Sequence, residues 1–232
     1  ILGDVPLADE HDVNRAVLAA KDAFIDWRRM PIKERAGYLV ALADKLQDNR
    51  DELGLMDCLD SGNTIAGMKG DVDWSADTLR YFAGLITDIK GESFSEKPGH
   101  LNFTRREPYG VVAKINPFNH PLRFCAEKSA SALAAGNTVV MKASEQAPLS
   151  SLRFSEICHE VLPPGVVNVL TGGIACGQAM VRHPDVRRVG VVGSVSTGKS
   201  IAKDAAEDLT HVTLELGGKN PVIIFPDVDP KE

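Results

Sequence analysis

The sequence of 232 residues has little that would commit it to a metal, a membrane or a polyanion. Its four cysteines, Cys58, Cys125, Cys158 and Cys176, form no C-x-x-C pair and lie inside apolar helical patterns. That usage fits a reduced, cytoplasmic compartment better than a disulfide framework. None of the six histidines stands at metal-ligand spacing from another histidine or a cysteine, so no metal is expected. The longest uncharged apolar stretch, Ser129 to Met141, is broken by Gly136 and Asn137. It falls short of the ~18 apolar residues a membrane helix needs. There is no basic excess: a net charge of −6 gives no electrostatic reason to expect nucleic acid or an anionic membrane as partner. No secretory signal, internal repeat or low-complexity segment is present. Both ends read as cut edges, of a fragment or of the ordered part of a longer protein. Ile1 is not an initiator methionine, and Asp229-Pro230-Lys231-Glu232 follows an apolar strand with nothing to pack against.

What is present is an ordinary globular composition, 44% hydrophobic and 25% charged. The length lies between one and two domains at roughly 150 residues each. Val13, Ala16, Val17, Ala20 and Phe24 fall at helical spacing, with Asp9 or Asp12 able to cap the start. A second helix carries Ala36, Leu39, Val40, Ala43 and Leu46 on one face; a third covers 51–60, and a fourth runs from about Gly70 to Asp88. Residues 89–109 differ. Leu101, Phe103 and Arg105 alternate with polar neighbours, which predicts a hairpin arm of the kind that serves assembly, or an ordinary surface hairpin. From Gly110 short β-branched runs at 111–115, 138–142, 166–170, 188–192, 212–215 and 221–225 alternate with helical runs at 122–135, 148–162, 174–182 and 197–208. The alternation predicts an α/β fold with a doubly wound, mostly parallel sheet, which binds ligands at the carboxyl ends of its strands.

The notable motifs all lie just after these strands. In Asn116-Pro117-Phe118-Asn119-His120-Pro121 two prolines stiffen a turn around Asn119. A fixed amide can donate to a developing oxyanion, or it can simply cap the following helix; His120 reads as a packing residue. Lys142 and Glu145, with Ser144 between them, could hold a pair of ribose hydroxyls, or open a helix. Gly193-Ser194-Val195-Ser196-Thr197-Gly198-Lys199-Ser200 fits the phosphate-binding G-x-x-x-x-G-K-S pattern literally, with a strand before it and a helix after. That would make the protein a nucleotide hydrolase, with Asp227 after Val222–Phe225 as an acidic strand end. Such loops usually sit on the first strand, whereas here only 32 residues follow Ser200, and the two earlier motifs would have no role. Glu215 stands beside Gly217-Gly218 at a strand end, as a carboxylate able to approach a ligand or as a surface residue before a turn.

Taken together, these motifs resemble the aldehyde dehydrogenase superfamily over almost the whole chain. The likeness includes ALAAGNTVVMKASEQAPL from Ala132, GVVNVLTG from Gly165 and VTLELGGKNPVIIF from Val212. The resemblance implies a Rossmann-like cofactor domain, with 1–88 as its N-terminal helical part and 110–215 as the dinucleotide-binding part. It implies 89–109 as an oligomerisation arm and 216–232 as entry into a catalytic domain. It implies Asn119 as the oxyanion-hole amide and Glu215 as general base. Lys142, Ser144 and Glu145 would lie at the adenosine ribose, Gly193, Ser194 and Gly198 by the pyrophosphate, and Ile115, Pro117, Phe118 and Leu216 against the cofactor. Lys128 matches a lysine sometimes assigned to a proton relay. The implied reaction oxidises an aldehyde to an acid through a cysteine thioester, with NAD preferred over NADP, in a homo-oligomer. Phe118 stands where tryptophan is common, and Ala143 where proline is common. None of the four cysteines matches the setting of the family's nucleophile, which lies downstream of the Leu214-Glu215-Leu216 motif. The expectation is therefore that this chain is part of a complete dehydrogenase and does not oxidise aldehydes by itself, the alternative being a fragment that binds dinucleotide without turnover.

Overall fold

The computed structural model describes residues 2–228, so Ile1 and the terminal tetrapeptide 229–232 lie outside the described residues. Four helices come first: α1 (Glu10–Trp27), α2 (Ile32–Asp48), α3 (Arg50–Ser61) and α4 (Ile65–Leu85). Helix α1 starts where Asp9 and Asp12 each accept the other's backbone N–H, a reciprocal capping box. Its buried stripe is Val13, Val17, Ala20 and Trp27. Helix α4 starts five residues earlier than the sequence suggests, because the Thr64 hydroxyl caps it by accepting from the N–H of Gly67. Gly67 and Gly70 hide that turn from a propensity reading. The arm region forms a small antiparallel pair, β1 (Ser93–Phe94) with β2 (Asn102–Phe103).

Five strands then form one parallel sheet. They are β3 (Val111–Ile115), β4 (Thr138–Ala143), β5 (Val167–Thr171), β6 (Val186–Gly193) and β7 (His211–Leu216), in the order β5-β4-β3-β6-β7. Between them run α5 (Pro121–Ala134), α6 (Leu149–Val161), α7 (Ile174–Arg182) and α8 (Val195–Ala206). The chain winds outward from β3 to β5, returns to β6 beside β3, and winds outward again to β7. The strand order therefore reverses between β3 and β6, and a crevice opens there at the carboxyl ends. Alternate residues of β4 face opposite cores. Val139 and Met141 pack with α2, α4, α5 and α6, whereas Val140 packs with α1, α7 and α8.

The expected strand at 221–225 does not form. Val222, Ile223, Ile224 and Phe225 are 82%, 77%, 74% and 69% exposed. A β-branched run becomes a strand only beside a hydrogen-bonding neighbour, and none of the described strands pairs with it. Two buried polar groups set the position of α5. Arg35 donates to the carbonyls of Trp27 (3.3 Å), Met30 (3.2 Å) and Ala134 (3.1 Å), tying the ends of α1 and α5 together. Asp57 of α3 accepts the N–H of Leu122 at 3.3 Å, serving the start of α5 from outside the helix.

Candidate active site at the carboxyl ends of the strands

The turn after β3 is built around Asn116. It is buried, its N–H donates to the Lys142 carbonyl at 3.1 Å, and its Nδ2 lies 3.5 Å from Cys125 Sγ. Ile115 and Pro117 are half-buried and Phe118 is exposed. Asn119 is exposed, and its backbone carbonyl accepts from Asn63 Nδ2 at 2.6 Å. The cap position of α5 belongs to His120, and no side chain caps there. Pro121 has no N–H to satisfy, and the next donor, Leu122, is taken by Asp57. The Asn119 amide is thus not used as a cap for α5.

At the end of β4 the Lys142 ammonium donates to Glu145 Oε2 at 3.0 Å and to the Ala143 carbonyl at 3.1 Å. Lys142 and Ser144 are buried, while the Glu145 side chain is half-exposed. Burial pulls the Glu145 pKa upward, but its own backbone N–H and Lys142 outweigh this and hold it below the ordinary glutamate value. At the end of β6 only Ser194 separates Gly193 from the first residue of α8. Its hydroxyl accepts the N–H of Thr197 at 3.1 Å. Gly198, Lys199 and Ser200 already lie inside α8, so the stretch that matched a phosphate loop contains almost no loop. A Cβ on Gly198 would come within 2.6 Å of Leu216 Cδ2. Its missing side chain lets α8 lie against β7, as one glycine of a dinucleotide fingerprint does.

Glu215 is half-exposed near the end of β7, and its Oε1 accepts from Lys128 Nζ at 2.8 Å. The same ammonium donates to Glu127 Oε1 at 2.8 Å. Arg123 Nε donates to Glu127 Oε2 at 3.2 Å, and its guanidinium lies 3.6 Å from Asp71 Oδ1 and 4.8 Å from the centre of the Trp74 ring. The Nδ1–H of His120 donates to Asp71 Oδ2 at 2.5 Å. A continuous polar chain along α5 therefore joins the neighbour of Asn119 to Glu215. Burial lowers the Lys128 pKa, but Glu127 and Glu215 outweigh it and hold the ammonium above the usual lysine value. Beside this chain a cleft of about 290 Å³ is lined by Lys114, Asn116, Glu127, Lys128, Arg188 and Glu215, among others. Lys114 crosses β6 over Gly190, where a Cβ would meet its Nζ at 2.9 Å. Burial, then Arg188 and Lys128, push the Lys114 pKa down to about 8.

The sequence singles out Asn119, Lys128 and Glu215 but not Asp71, Arg123, Glu127 or Lys114. Charges on amphipathic helices read as solvated faces, and only Lys114, inside an apolar strand, carried a visible signal. The cysteines have no such setting. Cys125, Cys158 and Cys176 are buried, and burial drives Cys125 up to about 11 and raises the other two. A thiol held protonated is a poor nucleophile. One possible metal-holding group occurs among the described residues, the exposed trio Asp9, His11 and Asp12, and two of its members are engaged in capping α1. No helix among the described residues is long and apolar enough to cross a membrane.

Comparison with known proteins gives the family and the fold. The model of the aldehyde dehydrogenase family matches residues 1–232. Aldehyde dehydrogenase tropH of Talaromyces stipitatus is 45% identical over 99% of this chain and 45% of its own length. Human 4-trimethylaminobutyraldehyde dehydrogenase is 41% identical over 99% of this chain and 47% of its own. Among solved structures, the NAD+ complex of an aldehyde dehydrogenase from Bacillus cereus superposes with a TM-score of 0.91 at 41% identity, covering 97% of this chain and 47% of that one. PnpE from Pseudomonas sp. WBC-3 gives 0.91 at 42% identity, over 94% of this chain and 45% of its own. The chain spans less than half the length of each of these relatives, and it belongs to the aldehyde dehydrogenase family.

Proposed function

We propose that this chain supplies the cofactor cradle, one oxyanion donor and the general base for oxidation of an aldehyde to a carboxylic acid with NAD(P). The carrying observation is that Asn119, on a proline-stiffened turn, does not cap α5, and that consecutive polar contacts along α5 run from its neighbour His120 to Glu215. Dinucleotide fits the strand ends by the chemistry of their donors. Lys142, Ser144 and Glu145 offer an ammonium, a hydroxyl and a carboxylate for ribose hydroxyls. Gly193 and Ser194 lead into the start of α8, whose first-turn N–H groups suit phosphate. Gly198 and Leu216 hold α8 close, and Ile115, Pro117 and Phe118 form an apolar wall. When bound, NAD(P) accepts the hydride. Asn119 donates to the oxygen that becomes negative as the carbonyl carbon turns tetrahedral, and Glu215 takes the proton of the water that releases the acid.

The thiolate that this chemistry requires is assigned to the part of the relatives' length that this chain does not span. In the same reading, 1–88 and 110–215 form the cofactor-binding unit and 216–232 enters the catalytic one. The hairpin within 89–109 shows Phe94, Leu101 and Phe103 at 58%, 70% and 69% exposure, a surface for assembly with further copies. NAD is preferred over NADP, because the Lys142 ammonium that might otherwise pair with a 2′-phosphate is already engaged by Glu145. In the full-length protein, Glu215→Gln should leave a burst of NADH stoichiometric with active sites, followed by a steady state slowed ~10²-fold or more. An equally fast steady state in the variant would remove Glu215 from the base role.

A further inference from the structure

Glu127 is a link in the polar chain above but is given no chemical role there, yet it shares one ammonium with the assigned base. Lys128 Nζ lies 2.8 Å from Glu127 Oε1 and 2.8 Å from Glu215 Oε1, so the two carboxylate oxygens lie within twice that distance of each other. The two are not equally held. Glu127 is three-quarters buried on α5 and is gripped from the other side by Arg123, which Asp71 and Trp74 fix in turn. Glu215 is half-exposed on β7. An anchored carboxylate and a freer one thus compete for a single cation.

Accepting Glu215 as the base, we propose that Glu127 is a positioning residue that sets the basicity of Glu215 through the shared Lys128. Two effects act in the same direction. The anchored carboxylate divides the stabilisation that Lys128 would otherwise give the Glu215 anion, and its own charge repels that anion. Both keep Glu215 a stronger base than an exclusive ion pair would leave it. Among the described residues, the other charged groups facing Glu215 in this cleft are Lys114 of β3 and Arg188 of β6; α5 adds Arg123 behind Glu127, and α4 contributes uncharged Phe82 together with Asp71 behind Arg123. These stay constant when Glu127 alone is changed, so a comparison of variants isolates its contribution.

The experiment measures the acid limb of the steady-state rate in the full-length protein, under conditions where release of the acid limits turnover. Glu127→Gln should move that limb to lower pH by roughly half a unit, the size expected for one charge at this separation in a well-solvated cleft. Glu127→Asp should keep the parent's limb, and the NADH burst should be unchanged in both. Glu127→Ala must give the same displacement as Gln and serves if Gln disturbs folding. In a Lys128→Met background the displacement should shrink, because the shared cation is gone. A limb that stays in place in Glu127→Gln and Glu127→Ala, while Glu215→Gln still blocks acid release, overturns the assignment to Glu127 alone. A displacement unaltered by Lys128→Met overturns the route through the lysine. Unimpaired acid release in Glu215→Gln removes the base reading itself, which is a separate result.

Discussion

At the scale of single residues, the proposed preference for NAD over NADP rests on one contact at the end of β4. The Lys142 ammonium is buried and directed at Glu145, whose side chain is half-exposed, so the pair offers a carboxylate and little free positive charge. A ribose 2′-hydroxyl can donate to that carboxylate, whereas a 2′-phosphate meets repulsion of about 4 kcal/mol per unit charge pair at 4 Å for an effective dielectric near 20. Side-chain motion relieves part of this, so the expected outcome is preference and not exclusion. In the full-length protein kcat/KM should be higher with NAD than with NADP, and Glu145→Ala should narrow the ratio by raising use of NADP. Equal use of both by the parent, or no gain for NADP in the variant, would show that Glu145 does not set the choice.

At the scale of elements, the position of α5 matters most, because Asn119 precedes it and Lys128 rides on it. Its first free N–H is met by Asp57, a fully buried carboxylate from α3. Burial raises the Asp57 pKa from 3.8 to about 6, against the pull of the Leu122 N–H. A carboxyl group with a raised folded-state pKa favours folding fully below its unfolded value and loses that contribution as pH rises through the folded value. The window is therefore pH 4 to 6, and the loss is on the order of 2–3 kcal/mol. Asp57→Asn, which keeps an acceptor and cannot ionise, should gain in Tm relative to the parent as pH rises across this window. A Tm difference independent of pH would remove Asp57 from the titration. This contact joins residues 65 positions apart and could not be read from either segment. Buried parallel strands such as β3 and β4 were legible because their β-branched runs are nearly continuous. The same composition at 221–225 misled, since composition carries no information about a partner. Asn119, Lys142, Glu145 and Gly193 stood out in the sequence because each lies at or just after the carboxyl end of a strand; the Asp71–Arg123–Glu127 chain did not, because it crosses between helices.

On the scale of the whole molecule, the two faces of the sheet are covered unequally. Helices α1, α7 and α8 cover one face, while on the other α5 packs over β3 and β4 and leaves the side chains of β7 mostly exposed. Among the described strands β7 is also outermost, with β6 as its single partner, and the apolar run of 222–225 follows it between Pro221 and Pro226. An unpaired strand edge beside an uncharged β-prone segment is a template for addition of another chain. The 232-residue polypeptide produced by itself should therefore self-associate reversibly at first and form larger aggregates on warming. Ile223→Lys places a charge in that segment without touching either core, and should raise the soluble, monomeric fraction in sedimentation and delay the onset of light scattering. An unchanged aggregation onset would mean that association runs through some other surface, such as the exposed aromatics of the hairpin. The exposed side of β7 that lets Glu215 reach the crevice is thus also the place where the molecule is most open to unwanted company.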